Sequence, residues 1–375
     1  MEIEVAQEKL AKALNNVSRI ATGKVTLPVL NNVLIKVQDK KVSLITTNLD
    51  MATIDYLPVS SSKDGVVTVP ARLLAEFVSN LPKSTPVKIT SSDNKINIAA
   101  GKYSSLINGA PADDFPELPE INEKSAVIFK VGIEDFKNSA NQVLVAASND
   151  FNRPALTGIH FYTKNKILYL VSTDGYRLAK KVLVKDVKSE IKVTVPASSL
   201  QEVLRSIDDS MEEIELSFAE DLVRFRLGEV EIISKLIDAE YPDVDKLFST
   251  NSEINFEADR DELLRVAKLA SLFARHGAND AITCETNSEN NTFSIHSIAN
   301  EYGENDSIIE TKIDKNGKIS ITSRYLIDAL NNIDGKKVSL GFSEGVDKST
   351  GLAYPLVLKN QKSDDYIHVV MPLSI

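Results

Sequence analysis

The sequence predicts an α+β protein of three tandem domains, each built of antiparallel strands with two helices on one face. Three observations predict this fold: an internal repeat of 126 residues, two stretches of helical periodicity in every repeat, and short alternating segments between them. The 375 residues, 43% hydrophobic and 26% charged, are typical of a globular protein with room for two or three domains.

The repeat is clearest where a strand runs into a helix. The strings Val-Val-Thr-Val-Pro-Ala-Arg-Leu-Leu, Lys-Val-Thr-Val-Pro-Ala-Ser-Ser-Leu and Lys-Ile-Ser-Ile-Thr-Ser-Arg-Tyr-Leu begin at Val66, Lys192 and Lys318, each 126 residues after the last. Alternating β-branched residues lead to Pro or Thr, and then to a helix start. The segments 44–48 and 114–118 recur at the same offset, as 170–174 and 240–244. The offset predicts domains at residues 1–125, 126–250 and 251–375.

Apolar residues spaced three and four apart predict two helices in every repeat. The predicted helices cover residues 7–20, 71–81, 134–148, 198–206, 260–275 and 323–332. Segments of alternating polarity between turn clusters predict strands, for example at 32–37, 41–46, 87–90 and 95–99. The opening Met-Glu-Ile-Glu-Val also alternates, so we expect a first strand there and not a signal peptide.

Several motifs resemble one known family. They are Thr-Gly-Lys-Val-Thr-Leu-Pro-Val-Leu from Thr22, Asp-Phe-Pro from Asp114, Asn-Arg-Pro-Ala-Leu-Thr-Gly from Asn152, Ser-Thr-Asp-Gly-Tyr-Arg-Leu-Ala from Ser172 and Val-Val-Met-Pro-Leu from Val369. With them the chain resembles, over its whole length, the β sliding clamps, the processivity subunits of bacterial DNA polymerase III. The resemblance implies clamp domains in a homodimeric ring of six modules around double-stranded DNA, bound without regard to sequence. It also implies a non-catalytic cytoplasmic protein, without cofactor or metal, that tethers the replicative polymerase.

The resemblance further implies a hydrophobic pocket between the second and third domains, which accepts short motifs of polymerases, the clamp loader and repair proteins. The matching positions are Leu156, Thr173, Gly175, Tyr176, Arg177, Leu178, Pro242, Lys246, Leu247, Tyr325, Val369, Val370, Met371, Pro372 and Leu373. Two features depart from the family pattern: Tyr176 stands where His is common, and the chain ends Met-Pro-Leu-Ser-Ile. Both bear on motif preference more than on the location of the pocket.

Residues matching Lys24, Asn149 and Arg153 touch DNA in the family. The net charge of −10 by itself argues against a nucleic-acid partner. The six predicted helices nevertheless hold eleven Lys or Arg and eight acidic residues, which is the sign that a DNA-lined ring requires. By the same analogy, the ring interface pairs residues 102–108 with residues 264–273 of the other copy.

Two other classes of protein fit the repeat less well. A metal-dependent hydrolase could use Asp174 and His160, but the four histidines are scattered without metal-ligand spacing. A polymeric scaffold would not be retained on circular DNA. The single cysteine, Cys284, excludes an internal disulfide and indicates a reducing compartment. It is expected to be a packed or half-exposed thiol and not a nucleophile. No apolar run approaches the length of a membrane-spanning helix.

Overall fold

Helices recur in pairs along the chain in the computed structural model, which describes residues 1–21, 27–39, 41–59, 61–245, 252–346 and 353–373. Within those ranges the helices are α1 (Gln7–Ser18), α2 (Ala71–Ser79), α3 (Ile133–Leu144), α4 (Ala197–Ser206), α5 (Arg260–Ala274) and α6 (Ser323–Asn332). The second helix of each pair starts at intervals of 126 residues, so the predicted strand–helix junctions are confirmed. Helices α1 and α3 end two and four residues before their predicted ends.

The strands, numbered along the chain, form four antiparallel sheets. In the first half they are β1 (Glu2–Ala6), β2 (Asn32–Gln38), β3 (Lys41–Thr47), β4 (Met51–Pro58), β5 (Ser61–Lys63), β6 (Gly65–Pro70), β7 (Pro86–Ser92), β8 (Lys95–Ala100), β9 (Tyr103–Asn108), β10 (Val127–Gly132), β11 (Gly158–Lys164), β12 (Ile167–Thr173) and β13 (Arg177–Lys185). The remainder are β14 (Lys192–Pro196), β15 (Glu213–Phe218), β16 (Leu222–Leu227), β17 (Val230–Lys235), β18 (Ile254–Asp259), β19 (Ala281–Asn287), β20 (Thr292–Ala299), β21 (Gly303–Glu310), β22 (Gly317–Thr322), β23 (Lys337–Phe342), β24 (Leu356–Asn360) and β25 (Ser363–Val370).

By its contacts the chain divides into two compact units. Unit 1 comprises residues 1–134 and 198–236. It holds a five-stranded sheet, ordered β5-β1-β7-β8-β9, and an eight-stranded sheet, ordered β10-β15-β16-β17-β4-β3-β2-β6. Helices α1 and α2 pack together over a core in which Leu10, Leu14, Leu74 and Val78 are fully buried. Their spacing of four residues on each helix puts them on one face.

Unit 2 comprises residues 135–197 and 237–375. Its sheets are the eight-stranded β14-β11-β12-β13-β25-β24-β23-β18 and the four-stranded β21-β20-β19-β22. Helix α5 packs against α6, and the Asp259 carboxylate caps α5 by accepting a hydrogen bond from the Glu262 amide at 2.9 Å.

Each eight-stranded sheet combines strands of two successive sequence repeats. Strand β17 pairs with β4, and β13 pairs with β25. The compact units therefore follow the sheets and not the sequence repeat. The division into domains at 1–125, 126–250 and 251–375, which rests on the repeat, stays a prediction. Among the described residues no helix is long and apolar enough to cross a membrane.

Candidate functional site

A tight loop connects β12 to β13 in unit 2, from Thr173 to Arg177. The Thr173 hydroxyl donates to the Arg177 carbonyl at 2.6 Å and accepts from the Gly175 amide at 3.0 Å. The Asp174 carboxylate accepts from the amides of Tyr176 and Arg177 at 2.9 and 3.0 Å. Gly175 has φ +94°, a conformation that glycine adopts more readily than other residues. Short polar side chains thus fix the loop, and Tyr176 remains 60% exposed at its tip.

The Arg177 guanidinium is buried within a cage of three side chains. Its Nε lies 3.1 Å from Oδ2 of Asp174, and its Nη1 forms an ion pair with Asp328 of α6. Its Cζ lies 4.6 Å from the ring centroid of Tyr325. Burial and the Asp174 charge raise the pKa of Tyr325, so its phenol stays neutral beside the guanidinium. Two carboxylates, one from the loop and one from α6, compensate the charge of the buried guanidinium. Arg177 therefore links the loop to α6.

Residues 369–373 lie beside this loop. Val369 and Val370, at the end of β25, pair with Leu178 and Arg177 of β13 and are fully buried. The Met371 amide then donates to the Tyr176 carbonyl at 2.8 Å, and the Leu373 amide donates to the Ser320 carbonyl at 2.8 Å. Residues 371–373 are half-buried. Residues 371–373 therefore form an apolar rim next to the exposed Tyr176.

An apolar cluster lies beneath the rim. Its buried members are Leu156, Val171, Leu178, Tyr241, Val244, Val357 and Val369. Leu156 comes from the 3₁₀ turn Pro154–Thr157, and Pro242 is exposed between the buried Tyr241 and Val244. The arrangement offers apolar side chains and backbone groups to a short extended segment.

Arg153 connects this loop to the segment after α3. Its Nη2 donates to the Asp174 carbonyl at 3.0 Å, and its Nε lies 3.5 Å from the Asp150 carboxylate. A Cβ on Gly175 would lie 3.1 Å from Nη1 of Arg153. The Arg153 side chain is about half exposed, and Asn149 is exposed in the same segment. The structure thus brings one of the predicted DNA contacts against the predicted peptide loop.

Family models for the DNA polymerase III beta subunit match nearly the whole chain. The N-terminal domain model matches residues 1–119, the central domain model 130–243 and the C-terminal domain model 245–374. The chain belongs to the DNA polymerase III beta subunit family. The predicted family, fold class and clamp function are thereby confirmed.

Similar proteins agree with this membership. The beta sliding clamps of Staphylococcus aureus and Staphylococcus epidermidis are 27% and 28% identical, over 100% of this chain and 99% of theirs. The solved sliding clamp of Bacillus subtilis has a TM-score of 0.93 at 25% identity, covering 100% of this chain and 99% of its own. The DNA polymerase III subunit beta of Pseudomonas aeruginosa shares the fold, with a TM-score of 0.92 at 24% identity and full coverage of both chains. A second structure of that clamp, with a TM-score of 0.91, is bound to griselimycin.

The predicted pocket residues that the structure describes lie in four places. Thr173, Gly175, Tyr176, Arg177, Tyr325 and Met371 lie in or against the loop, while Leu156, Leu178 and Val369 lie in the cluster. Val370 is buried in the sheet, and Pro242, Pro372 and Leu373 lie at the edges of the site. Lys24, Lys246 and Leu247 lie outside the described residues.

Sequence reasoning missed several side chains that build this beta subunit site. Asp174 could have been found, since an Asp before Gly is a strong turn signal. Tyr241 and Val244 could have been found from the repeat, because they match Phe115 and Leu118. Nothing in the sequence points to Asp328, whose importance lies only in its contact with Arg177.

The hydrolase alternative is not supported in this chain. Nδ1 of His160 lies 3.0 Å from the Thr194 hydroxyl, and burial lowers the pKa of His160 to about 4. The Asp174 carboxylate is engaged by two backbone amides and Arg177. Across the described residues, no three His, Cys, Asp or Glu side chains converge as metal ligands. Cys284 is buried, and burial raises its pKa to about 12, as expected of a packed thiol.

Proposed function

We propose that two copies of this chain close into a ring around duplex DNA and hold the replicative polymerase on its template without catalysing a reaction. The observation that carries the proposal is the match of three beta subunit domain models across nearly the whole chain. As a replication factor the ring would act in the cytoplasm. It would bind the polymerase, the clamp loader and other proteins that carry short clamp-binding motifs.

Two sheet edges support the ring. Strands β9 and β21 each pair on one side only, among the described residues, with β8 and β20. Both expose a large apolar side chain: Leu106 on β9 is 64% exposed, and Ile308 on β21 is 61% exposed. The unpaired amides and carbonyls of such an edge can bind a strand of another chain, and the exposed apolar side chains add buried surface. Head-to-tail pairing of β9 with β21 of a second copy, at both ends, would close a two-chain ring. Because α5 packs on β21, this pairing would also bring residues 102–108 near residues 264–273, the segments that the family resemblance pairs.

The peptide site that we propose is the loop, cluster and chain end of unit 2. Its support is the exposed Tyr176 beside the half-buried residues 371–373 and the apolar cluster beneath. The DNA contacts that we propose are Lys24, Asn149 and Arg153. Their weak combined charge suits a protein that slides, because many tight phosphate contacts would slow its movement.

Retention on DNA tests the ring. We expect a solution mass near twice 41.2 kDa, and retention on nicked circular DNA that is lost when the DNA is cut to a linear form. Ile308→Asp should give monomers and abolish retention. Val66→Asp, at an exposed apolar position on edge strand β6, should change neither. A wild-type monomer that is not retained on circular DNA would contradict the proposal.

Griselimycin binding tests the peptide site. We propose that the compound bound by the Pseudomonas aeruginosa clamp also binds this chain, at the rim formed by Tyr176 and Met371. Deleting residues 371–375 should weaken binding at least tenfold in calorimetry, while light scattering still shows the dimer. Unchanged affinity would place the compound elsewhere and remove the support for this pocket.

A further inference from the structure

Four aromatic rings stack in a row beside the apolar cluster of unit 2. The ring centroids of Tyr241 and His160 lie 4.6 Å apart and are nearly parallel, at 7°. His160 stacks on Tyr162 at 5.5 Å, and Tyr162 stacks on Tyr169 at 5.3 Å. Nζ of Lys180 lies 4.3 Å from the Tyr169 centroid. This ring stack (Tyr241, His160, Tyr162, Tyr169) joins β11 and β12 to the segment Tyr241–Asp245.

The other end of that segment is held by charge. The Asp245 carboxylate accepts from the Tyr162 hydroxyl at 3.0 Å, forms an ion pair with Lys164 and lies 3.4 Å from Nζ of Lys180. Burial opposes ionisation of Asp245, but Lys164, Tyr162 and Lys180 outweigh it and lower its pKa. Burial, and next the Asp245 charge, raise the pKa of Tyr162, so the phenol remains a donor. Tyr162 therefore contributes both to the ring stack and to the Asp245 contacts.

These two attachments fix the short segment that carries Pro242. Tyr241 stacks on His160 at one end, and Asp245 is bound at the other. Between them Val244 packs, with Tyr241, into the apolar cluster that contains Leu156, Leu178 and Val369. The segment has no strand pairing of its own. Its position against the site therefore depends on these side-chain contacts.

The internal repeat indicates that the attachment is not needed simply to pack the segment. At the equivalent place in unit 1, Phe115 and Leu118 also pack on an apolar cluster. The positions matching His160, Tyr162, Tyr169 and Asp245 are there Leu34, Lys36, Ser43 and Pro119. Of these two places, the one with the ring stack and its acidic anchor lies beside the loop that carries Arg177, in the unit proposed to bind peptides.

We infer that Asp245 and Tyr162 are positioning residues for the peptide site: their hydrogen bond holds the Tyr241–Val244 segment where Pro242 and the apolar cluster meet a bound partner motif. The inference rests on the proposed function of that site. The Asp245 carboxylate would then influence the affinity of the peptide site without itself contacting the ligand. The two side chains should also act as one unit.

A double-mutant cycle tests the inference, with griselimycin as the probe and the full-length dimer as the protein. Asp245→Asn and Tyr162→Phe should each weaken binding about tenfold, because the first removes the charge that strengthens the hydrogen bond and the second removes its donor. The double variant should be no weaker than Asp245→Asn alone, since both changes weaken the same link. Asp245→Glu should recover part of the affinity, and light scattering should show the dimer in every variant.

Asp365→Asn is the matched control, because Asp365 forms a 3.0 Å ion pair with Lys185 on the same sheet. Its affinity should equal that of the wild type. Wild-type affinity in Asp245→Asn, or additive losses in the double variant, would overturn the inference while the pocket stands. Absence of binding to the wild-type protein would overturn the proposed site and the inference together.

Discussion

The loop between β3 and β4 in unit 1 has the same hydrogen-bonded frame as the loop between β12 and β13 in unit 2. The Thr47 hydroxyl donates to the Met51 carbonyl at 2.9 Å and accepts from the Leu49 amide at 3.1 Å. Asn48 accepts from the amides of Asp50 and Met51 at 3.1 and 2.8 Å, as Asp174 does in unit 2. The backbone frame therefore belongs to the repeat, and both copies build it with Thr followed by Asn or Asp.

The side chains on the two frames differ. Unit 2 places the charged Arg177 where unit 1 buries Met51, and Gly175 where unit 1 has Leu49. The neighbouring strand also differs: in unit 1 the Lys235 amide donates to the Asp50 carbonyl at 2.9 Å, with the Lys235 side chain 3.6 Å from the Asp50 carboxylate. In unit 2 the partner of the loop is the apolar Met371. The frame of unit 1 therefore carries a loop that pairs with Lys235, and the frame of unit 2 carries a loop that contacts the apolar rim of the proposed site.

The largest expected effect comes from making the unit 2 loop resemble that of unit 1. Arg177→Met leaves the Asp174 and Asp328 carboxylates without their buried cation, and we expect it to cost about 3 kcal/mol of unfolding free energy. Guanidinium titration measures the cost. Arg226→Met in unit 1 removes an arginine that pairs with Glu231 but is 39% exposed, and should cost under about 1 kcal/mol. Equal losses in the two variants would mean that burial of the Arg177 charge is unimportant.

Acid should affect unit 2 more than unit 1, because His160 and His368, whose pKa values are lowered by burial, both fall in unit 2. The Tyr366 hydroxyl donates to the Gln142 carbonyl at 3.1 Å, so Nδ1 of His368 must donate to Tyr366. Burial, and next the Arg177 charge, lower the pKa of His368 to about 3. Between pH 6.5 and about 3 the unfolded chain binds a proton that the folded chain does not, so stability falls as the pH falls through this window.

By pH 5 this single group should cost about 2 kcal/mol relative to pH 7. His368→Asn keeps a donor for Tyr366 and removes the titration, so its unfolding free energy should fall less between pH 7 and pH 5. Urea titrations at the two pH values give the comparison. An identical fall in wild type and variant would show that His368 does not titrate as its burial requires.

The smallest expected effect exchanges the residues at the left-handed position of the two loops. Leu49 has φ +77° and is 43% exposed, so Leu49→Gly should relieve backbone strain at little packing cost and stabilise by up to about 1 kcal/mol. Gly175→Leu should destabilise by at least about 1 kcal/mol, because its Cβ also meets Arg153. Thermal unfolding should move in opposite directions for the two variants. A shift in the same direction would mean that the two frames are not equivalent.

Local features of the fold could be predicted from the sequence, whereas long-range contacts could not. The helix starts at Ala71, Ala197 and Ser323 follow from periodicity and turn residues, which act over a few positions. Pairing of β13 with β25 joins residues nearly two hundred positions apart, and no local pattern specifies such a partner. The predicted end of α3, at residue 148, lies four residues beyond the observed end, because the Ser148 amide donates to the Leu156 carbonyl and not to a helix carbonyl.

The same distinction holds for the site. Thr173 and Arg177 were predicted through the family resemblance, which recognises a short string of residues. Asp328 and the ring stack escaped it, because each matters only through a side chain brought to it by folding. The cluster around Tyr241 lies between these cases: the repeat offset from Phe115 indicates its position, but not what it packs against.

Because each eight-stranded sheet combines strands of two repeats, the sequence repeat and the compact unit of the structure cover different residues. A fragment of residues 126–250 would keep β13 and β17 but lose β25 and β4, exposing two rows of unpaired amides and carbonyls. Such a fragment would be prone to self-association, however well its own helices formed. The repeat thus divides the sequence into three equal lengths, whereas strand pairing joins those lengths into two compact units that neither end nor begin at the boundaries between repeats.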